Sequence, residues 1–238
     1  MSEFFLQNWP WFALLVLTAL TFIGLVWLGR RHNRVDWGNP LINWIDGINR
    51  LYCRKFHRLD CGQIELPVTG GVLLASNHVS GLDPLLLVAA TRRPLRFMIA
   101  TEQYHRFGFE WLFRATGCIP VDRKGRPDRA FRHAVKALQE GEVVALFPHG
   151  RIHLDSETSA LIKPGLGRLS ALSGCPVIPV RITGIRGQGS IFKALFLRAR
   201  TRMTVFPKLP PAPFGDKAFH LHFGELLVGR RKSLEKRA

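Results

Sequence analysis

Apolar positions fall along this chain in three patterns. The first is unbroken: residues 9–28 read WPWFALLVLTALTFIGLVWL, without a charge. Wound as a helix, a run of about 20 residues reaches about 30 Å, the thickness of a bilayer's hydrocarbon core. Trp9, Trp11 and Trp27 sit near its ends, where interfacial aromatics gather. A cleaved signal peptide would carry positive charge before the apolar run and small residues after it. Here no Lys or Arg precedes Arg30, and Gly29-Arg30-Arg31 follows, so the expectation is a membrane helix. Arg30, Arg31 and Arg34 then put the rest of the chain on the cytoplasmic side of the inner membrane.

The second pattern has helical period. Asn39 can cap a helix and Pro40 suits its first turn. Leu41, Ile45, Ile48, Tyr52 and Phe56 then recur along one face, widened by Trp44 and Leu51, with Arg50, Arg54 and Lys55 near the end. An amphipathic helix over 40–56 suits a membrane interface or the flank of a core, and the pattern does not choose between them. Residues 1–58 therefore read as a membrane anchor and 59–238 as the globular domain.

The third pattern is an alternation of short apolar runs with helical stretches. Strands are expected at 63–66, 72–76, 95–99, 118–121, 143–147, 177–182 and 203–206, and helices at 84–91, 106–114, 128–140 and 165–173. Phe131, Ala134, Val135 and Leu138 form one face of the third helix, and Gly141 stops it. The predicted fold is α/β: a central mixed sheet flanked by helices, preceded by the membrane helix and the amphipathic helix. Alternation at Phe219, His220, Leu221, His222 and Phe223 reads as a strand with one exposed face. Residues 207–213, PKLPPAP, form a stiff connector, and the basic tail 230–238 is expected to fray.

Charge narrows the partners. Lys and Arg total 34 against 17 Asp and Glu, a net +17 that calls for an anionic surface or ligand. Nucleic acid is the general alternative, but no nucleic-acid-binding motif is present and a spanning helix fits it poorly. Cys53, Cys61, Cys118 and Cys175 are scattered, without a Cys-x-x-Cys pair, and read as reduced thiols rather than a disulfide framework or zinc site.

Chemistry concentrates in Val72-Leu-Leu-Ala-Ser-Asn-His-Val-Ser-Gly-Leu-Asp-Pro84. An apolar strand ends, a loop carries His78, and Asp83-Pro84 opens a helix. On one continuous helix, residues five apart lie about 140° out of phase. A loop running into a helix start removes that obstacle and lets His78 fold back over Asp83. The carboxylate would then fix the imidazole tautomer, and the imidazole would take a hydroxyl proton. The segment alone also admits a plainer reading, in which Asp83 caps the helix and His78 is an ordinary loop residue.

Three later blocks complete a pattern. Gly117-Cys-Ile-Pro-Val-Asp-Arg123, Leu146-Phe-Pro-His-Gly-Arg151 and Val177-Ile-Pro-Val180 follow Asn77-His78-Val-Ser-Gly-Leu-Asp83 in order. Together they resemble the lysophosphatidic acid acyltransferase family and its glycerolipid acyltransferase relatives. The resemblance implies a catalytic domain over 59–238 that moves an acyl group from acyl-CoA or acyl-carrier protein to a lyso-lipid hydroxyl, with membrane lipids of an anionic leaflet as partners. It implies His78 as general base and Asp83 as its orienter, with no cofactor and no metal. Arg123, His149, Gly150 and Arg151 would hold the acceptor's phosphate or head group, a guanidinium fork and a glycine's open backbone N–H both suiting an anion. The third block departs from the family's Phe-Pro-Glu-Gly-Thr-Arg: His149 replaces the glutamate, and Arg151-Ile152 replaces Thr-Arg. That departure points to an acceptor other than lysophosphatidic acid.

Several features compete with this reading. His149, His153 and Asp155 are close in sequence, but Arg151 between them opposes a divalent cation. Residues 191–198, mixing apolar and cationic side chains, suit either a dip into the bilayer or a core helix. A membrane-anchored lipid-binding module without catalysis would explain the altered third block, and the intact His78/Asp83 pair opposes it.

Overall fold

The computed structural model describes residues 2–123, 125, 127–154 and 162–228. Asp155 and the basic tail at 230–238 lie outside the described residues. Helix α1 (Ser2–His32) leads into α2 (Pro40–Lys55). As the pattern predicts, Asn39 caps α2, its side-chain oxygen accepting from the Leu41 and Ile42 N–H groups at 2.9 and 3.3 Å. Helix α1 starts earlier than the uncharged run does. From residue 8 onward it is mostly exposed: Trp9 is 70% and Phe22 67% accessible. Among the described residues it is the one helix long and apolar enough to cross a membrane.

The two helices meet backbone to backbone. A Cβ on Gly47 would collide with the Gly29 carbonyl, and one on Gly29 would strike the Trp44 ring. Trp44 Nε1 donates to Leu25 O at 3.0 Å across the same crossing.

The face that α2 buries is not the apolar stripe read from the sequence. Leu41 is exposed, while Ile42, Asp46, Gly47, Arg50 and Cys53 are buried. Arg50 Nε meets Asp46 Oδ2 at 2.6 Å, one helical turn apart, and its Nη1 donates to Ala89 O at 3.1 Å. A charged pair tolerates burial when each partner is paired and further hydrogen-bonded. Cys53 belongs to the core formed by the sheet and the next helix, so packing runs unbroken across the boundary expected at residue 58.

Six strands form the sheet: β1 (Val72–Ser76), β2 (Leu95–Ala100), β3 (Ile119–Val121), β4 (Val143–Leu146), β5 (Val177–Thr183) and β6 (Arg202–Val205), in the order β3-β2-β4-β1-β5-β6. Every pairing is parallel except β5 with β6, so the sheet is mixed. Strand β1 is central and wholly buried, reading as a continuous apolar run because both faces are covered. Val72 and Leu74 pack toward α3 (Asp83–Ala90); Leu73 and Ala75 pack toward α6 (Asp128–Gln139), α7 (Gly165–Ser173) and α9 (Lys217–Val228). Each fully buried leucine contributes roughly 1.5–3 kcal/mol.

Three expectations need correction. Residues 63–66 form no strand; Ile64 is buried, but its N–H donates to Ala90 O at the end of α3. The alternation there marked burial, and helix backbone took the hydrogen bond. The helix expected over 106–114 is confined to α5 (Glu110–Ala115); a turn with Gly108 at φ 84° precedes it, and a separate single turn, α4 (Thr101–Tyr104), follows β2. The histidines at 220 and 222 lie on helix α9, where buried Phe223, the last of the five strand-like residues, is followed at helical spacing by buried Leu226 and Leu227. The segment at 191–198 holds one turn, α8 (Lys193–Phe196), with Ala194 buried and Phe196 exposed.

Candidate active site

All five parallel strands end on one edge of the sheet, where open α/β folds place ligands. The loop after β1 carries His78, the chain after β3 carries Arg123, and the loop after β4 carries residues 147–150.

Asn77 pins the first loop. Its Nδ2 donates to Ile182 O at 2.8 Å and its Oδ1 accepts from the Ile182 N–H at 2.7 Å, extending the β1–β5 ladder through a side chain. A Cβ on Gly81 would collide with Ile191 O, and the Gly81 N–H donates to Ser190 O at 3.2 Å, so the loop is clamped at its far side too.

Between these clamps, Asp83 turns back on the loop instead of capping forward along α3. Its Oδ2 accepts from the Val79 N–H at 2.7 Å and the Ser80 N–H at 2.9 Å, and its Oδ1 from Ser80 Oγ at 3.0 Å. Helix α3 shows no side-chain cap hydrogen bond. The same Oδ2 lies 2.8 Å from His78 Nδ1. With Asp83 acting as acceptor toward its other donors, we assign the His78 proton to Nδ1, which leaves Nε2 with its lone pair. Asp83 is fully buried, and the His78 side chain is 20% accessible. The imidazole stacks on Phe147 at 4.1 Å between centroids, with ring planes 15° apart, which holds its plane. The backbone locks it further: the His153 N–H donates to His78 O at 2.6 Å.

His78 opens on a groove of about 440 Å³, within the range of small-molecule sites. Its walls are largely apolar, with Ile45 of α2, Leu85 and Val88 of α3, Phe97 of β2 and Phe113 of α5 among them. Arg123 and Lys163 line it as well. Such a space suits a molecule with an apolar body and an anionic end.

The third block is arranged differently from expectation. Gly150 lines the groove, but its N–H is engaged with Phe147 O at 2.9 Å and is not offered to an anion. What Gly150 supplies is room: at φ 71°, a Cβ there would come within 2.8 Å of Lys163 Nζ. His149 and Arg151 are not among the groove walls. His149 is buried and stacks on His153 at 4.3 Å, and Arg151 Nη1 donates to Ile152 O at 3.2 Å. Among the described residues, no three of His, Cys, Asp and Glu converge. Lys163 was missed because nothing in its neighbourhood forms a motif; its position before Pro164 and the α7 start was the one available signal.

The fold and this geometry define an α/β protein with an oriented imidazole beside a largely apolar groove. Residues 59–183 match the family model described as Acyltransferase, and the chain belongs to that family; it is an acyltransferase enzyme. Among curated relatives, it is similar to the 1-acyl-sn-glycerol-3-phosphate acyltransferase of Bacillus subtilis, 24% identical over 174 residues, covering 73% of this chain and 82% of that one. It is also 29% identical over 119 residues to the N-acylphosphatidylethanolamine synthase of Arabidopsis thaliana, covering 46% and 41%. Several other curated relatives are matched over less than half their length. The fold is shared with the crystal structure of the 1-acyl-sn-glycerophosphate acyltransferase PlsC from Thermotoga maritima, at TM-score 0.64, 20% identity, and 90% and 89% coverage.

Proposed function

We propose that this acyltransferase is membrane-bound and transfers a fatty acyl group from an acyl-CoA or acyl-carrier-protein thioester to the hydroxyl of a lyso-glycerophospholipid. The observation that carries the proposal is His78, its Nδ1 tied to buried Asp83 and its ring open to the groove. Nε2 accepts the hydroxyl proton as that oxygen attacks the thioester carbonyl. The C–O bond forms, the C–S bond breaks, and the thiolate leaves with the proton returned from the imidazolium. Asp83 stabilises the imidazolium in between. Holding both reactants in one groove lowers the entropic part of the barrier.

Arg123 and Lys163 are the cations available for the acceptor's phosphate, and the apolar walls suit acyl chain. In this reading His149 and Arg151 shape the loop from behind rather than touching the head group. The acceptor we favour is a lyso-lipid other than lysophosphatidic acid, because His149 stands where the family has glutamate. The exposed apolar surface of α1, with Trp9 and Trp27 near its ends, supports a membrane anchor, and Arg30, Arg31 and Arg34 support a cytoplasmic site.

The test is purified full-length protein offered palmitoyl-CoA and a panel of lyso-lipids, with thiol release followed continuously. Wild type turns over, while His78→Ala loses at least about a hundredfold in rate yet still sediments with membranes. Near-normal rates in His78→Ala would sink the chemistry. A rate with lysophosphatidic acid far above every other acceptor would sink the substrate assignment alone.

A further inference from the structure

A second cavity, about 140 Å³, lies where the helical hairpin meets the end of α3. Arg34, Arg50, Arg54 and Arg92 line it, with Gln63 and the last turn of α3, and no carboxylate does. Arg50 is its buried member, with a side chain 4% accessible. Asp46 holds Arg50 Nε and Ala89 O holds its Nη1, while Nη2 is buried without a hydrogen-bond partner. Asp46 offsets Arg50, which leaves the other three charges uncompensated.

Convergence sets this group apart, because scattered arginines such as Arg129 and Arg132 also lack an ion pair among the described residues, while others are paired. Arg96 pairs with Glu142, Arg114 with Glu110, Arg168 with Asp128, and Arg202 with Asp60. Arg93, next to Arg92, donates to the carbonyls of Pro67, Gly70 and Gly141. Arg34, Arg54 and Arg92 make no ion pair among the described residues. In a chain of net +17, one arginine without a carboxylate needs no explanation. Four converging on one small polar cavity repel one another, and an anion there relieves that repulsion while accepting their forked donors.

Position selects the anion. Arg34 lies two residues beyond the end of α1 at His32, so an anchored α1 puts the cavity at head-group depth. We propose that this cavity binds the phosphate of an anionic phospholipid head group, at a site separate from the groove. The proposal rests on α1 being a membrane anchor and is independent of the chemistry at His78.

Full-length protein in nonionic detergent is titrated with dihexanoylphosphatidylglycerol, with dihexanoylphosphatidylcholine, and with inorganic phosphate. Wild type should bind the glycerol lipid saturably, and at least about tenfold more tightly than either of the others. Arg54→Gln with Arg92→Gln should weaken that binding by at least about tenfold. Lys55→Gln with Arg58→Gln removes the same charge from the same end of α2 and should leave affinity within about twofold. Both variants keep Arg50, and circular dichroism checks their folding. Unchanged affinity in the first double variant, or an equal loss in both, overturns the site. Inorganic phosphate or the choline lipid binding as tightly as the glycerol lipid overturns the assignment to an anionic lipid. Acyl transfer in micelles free of anionic lipid should be the same in wild type and the first double variant, so this outcome is read separately from the His78 test.

Discussion

Replacing Asp83 with asparagine keeps the shape of a fully buried side chain and removes its charge. Oδ2 accepts from two backbone N–H groups, at 2.7 and 2.9 Å, and faces His78 Nδ1 at 2.8 Å. An amide nitrogen in that place would confront three donors, so the asparagine oxygen takes it and the amide turns toward Ser80 Oγ. His78 then keeps its tautomer but loses the negative charge opposite the imidazolium that forms during proton transfer. A hydrogen bond to a charged group is worth roughly 1.5–3 kcal/mol against about 1 for a neutral one. At an effective dielectric of about 20, two charges 4 Å apart attract by about 4 kcal/mol. The loss in the transition state is therefore about 2–4 kcal/mol, a fall in kcat of roughly 30- to 1000-fold. KM should move little, since Asp83 does not line the groove. The assay is steady-state thiol release from palmitoyl-CoA with the best lyso-lipid acceptor, beside a thermal melt. A kcat within about threefold of wild type, in a variant of native-like melting temperature, would refute the assigned role of the pair.

Lys163→Met should raise KM for the lyso-lipid by about tenfold or more with kcat nearly kept, because in the proposed function it removes a charge-assisted contact to the acceptor; a lower kcat at unchanged KM would place Lys163 elsewhere in the reaction. Gly47→Ala forces α1 and α2 apart at the Gly29 carbonyl and should cost about 1–3 kcal/mol in a thermal melt. Gly24→Ala, with open space around its Cβ, should be neutral or stabilising by up to about 1 kcal/mol. Burial holds His57 below the usual histidine range, while its Nε2 sits 2.8 Å from Tyr52 Oη. As pH falls through about 6.5 the unfolded chain takes up that proton first, so stability present above this pH is lost below it. The melting temperature of His57→Gln should accordingly drop less than that of wild type between pH 7.5 and 5.5.

The sequence by itself determined the α/β class, β1 to β6 to within a residue or two, the cap at Asn39, and the suspicion attached to His78 and Asp83. These are local records. A strand buried on both faces must be apolar throughout, and a helix start must satisfy its own N–H groups wherever it lies. Tertiary structure decided what each residue is buried against. It put Asp46 and Arg50 inside, because each had a partner there, although their polarity marked them as surface. It passed the Ile64 N–H to a helix end instead of a strand. It turned Asp83 back onto the loop at Val79 and Ser80, which is the difference between an orienting carboxylate and a helix cap. It brought Lys163 to the groove, from 85 positions beyond His78 in the sequence, and kept His149 and Arg151 off its walls. Periodicity along a chain reports whether a side chain is buried, but contact across a sheet edge depends on strand order and loop path, which no local pattern encodes.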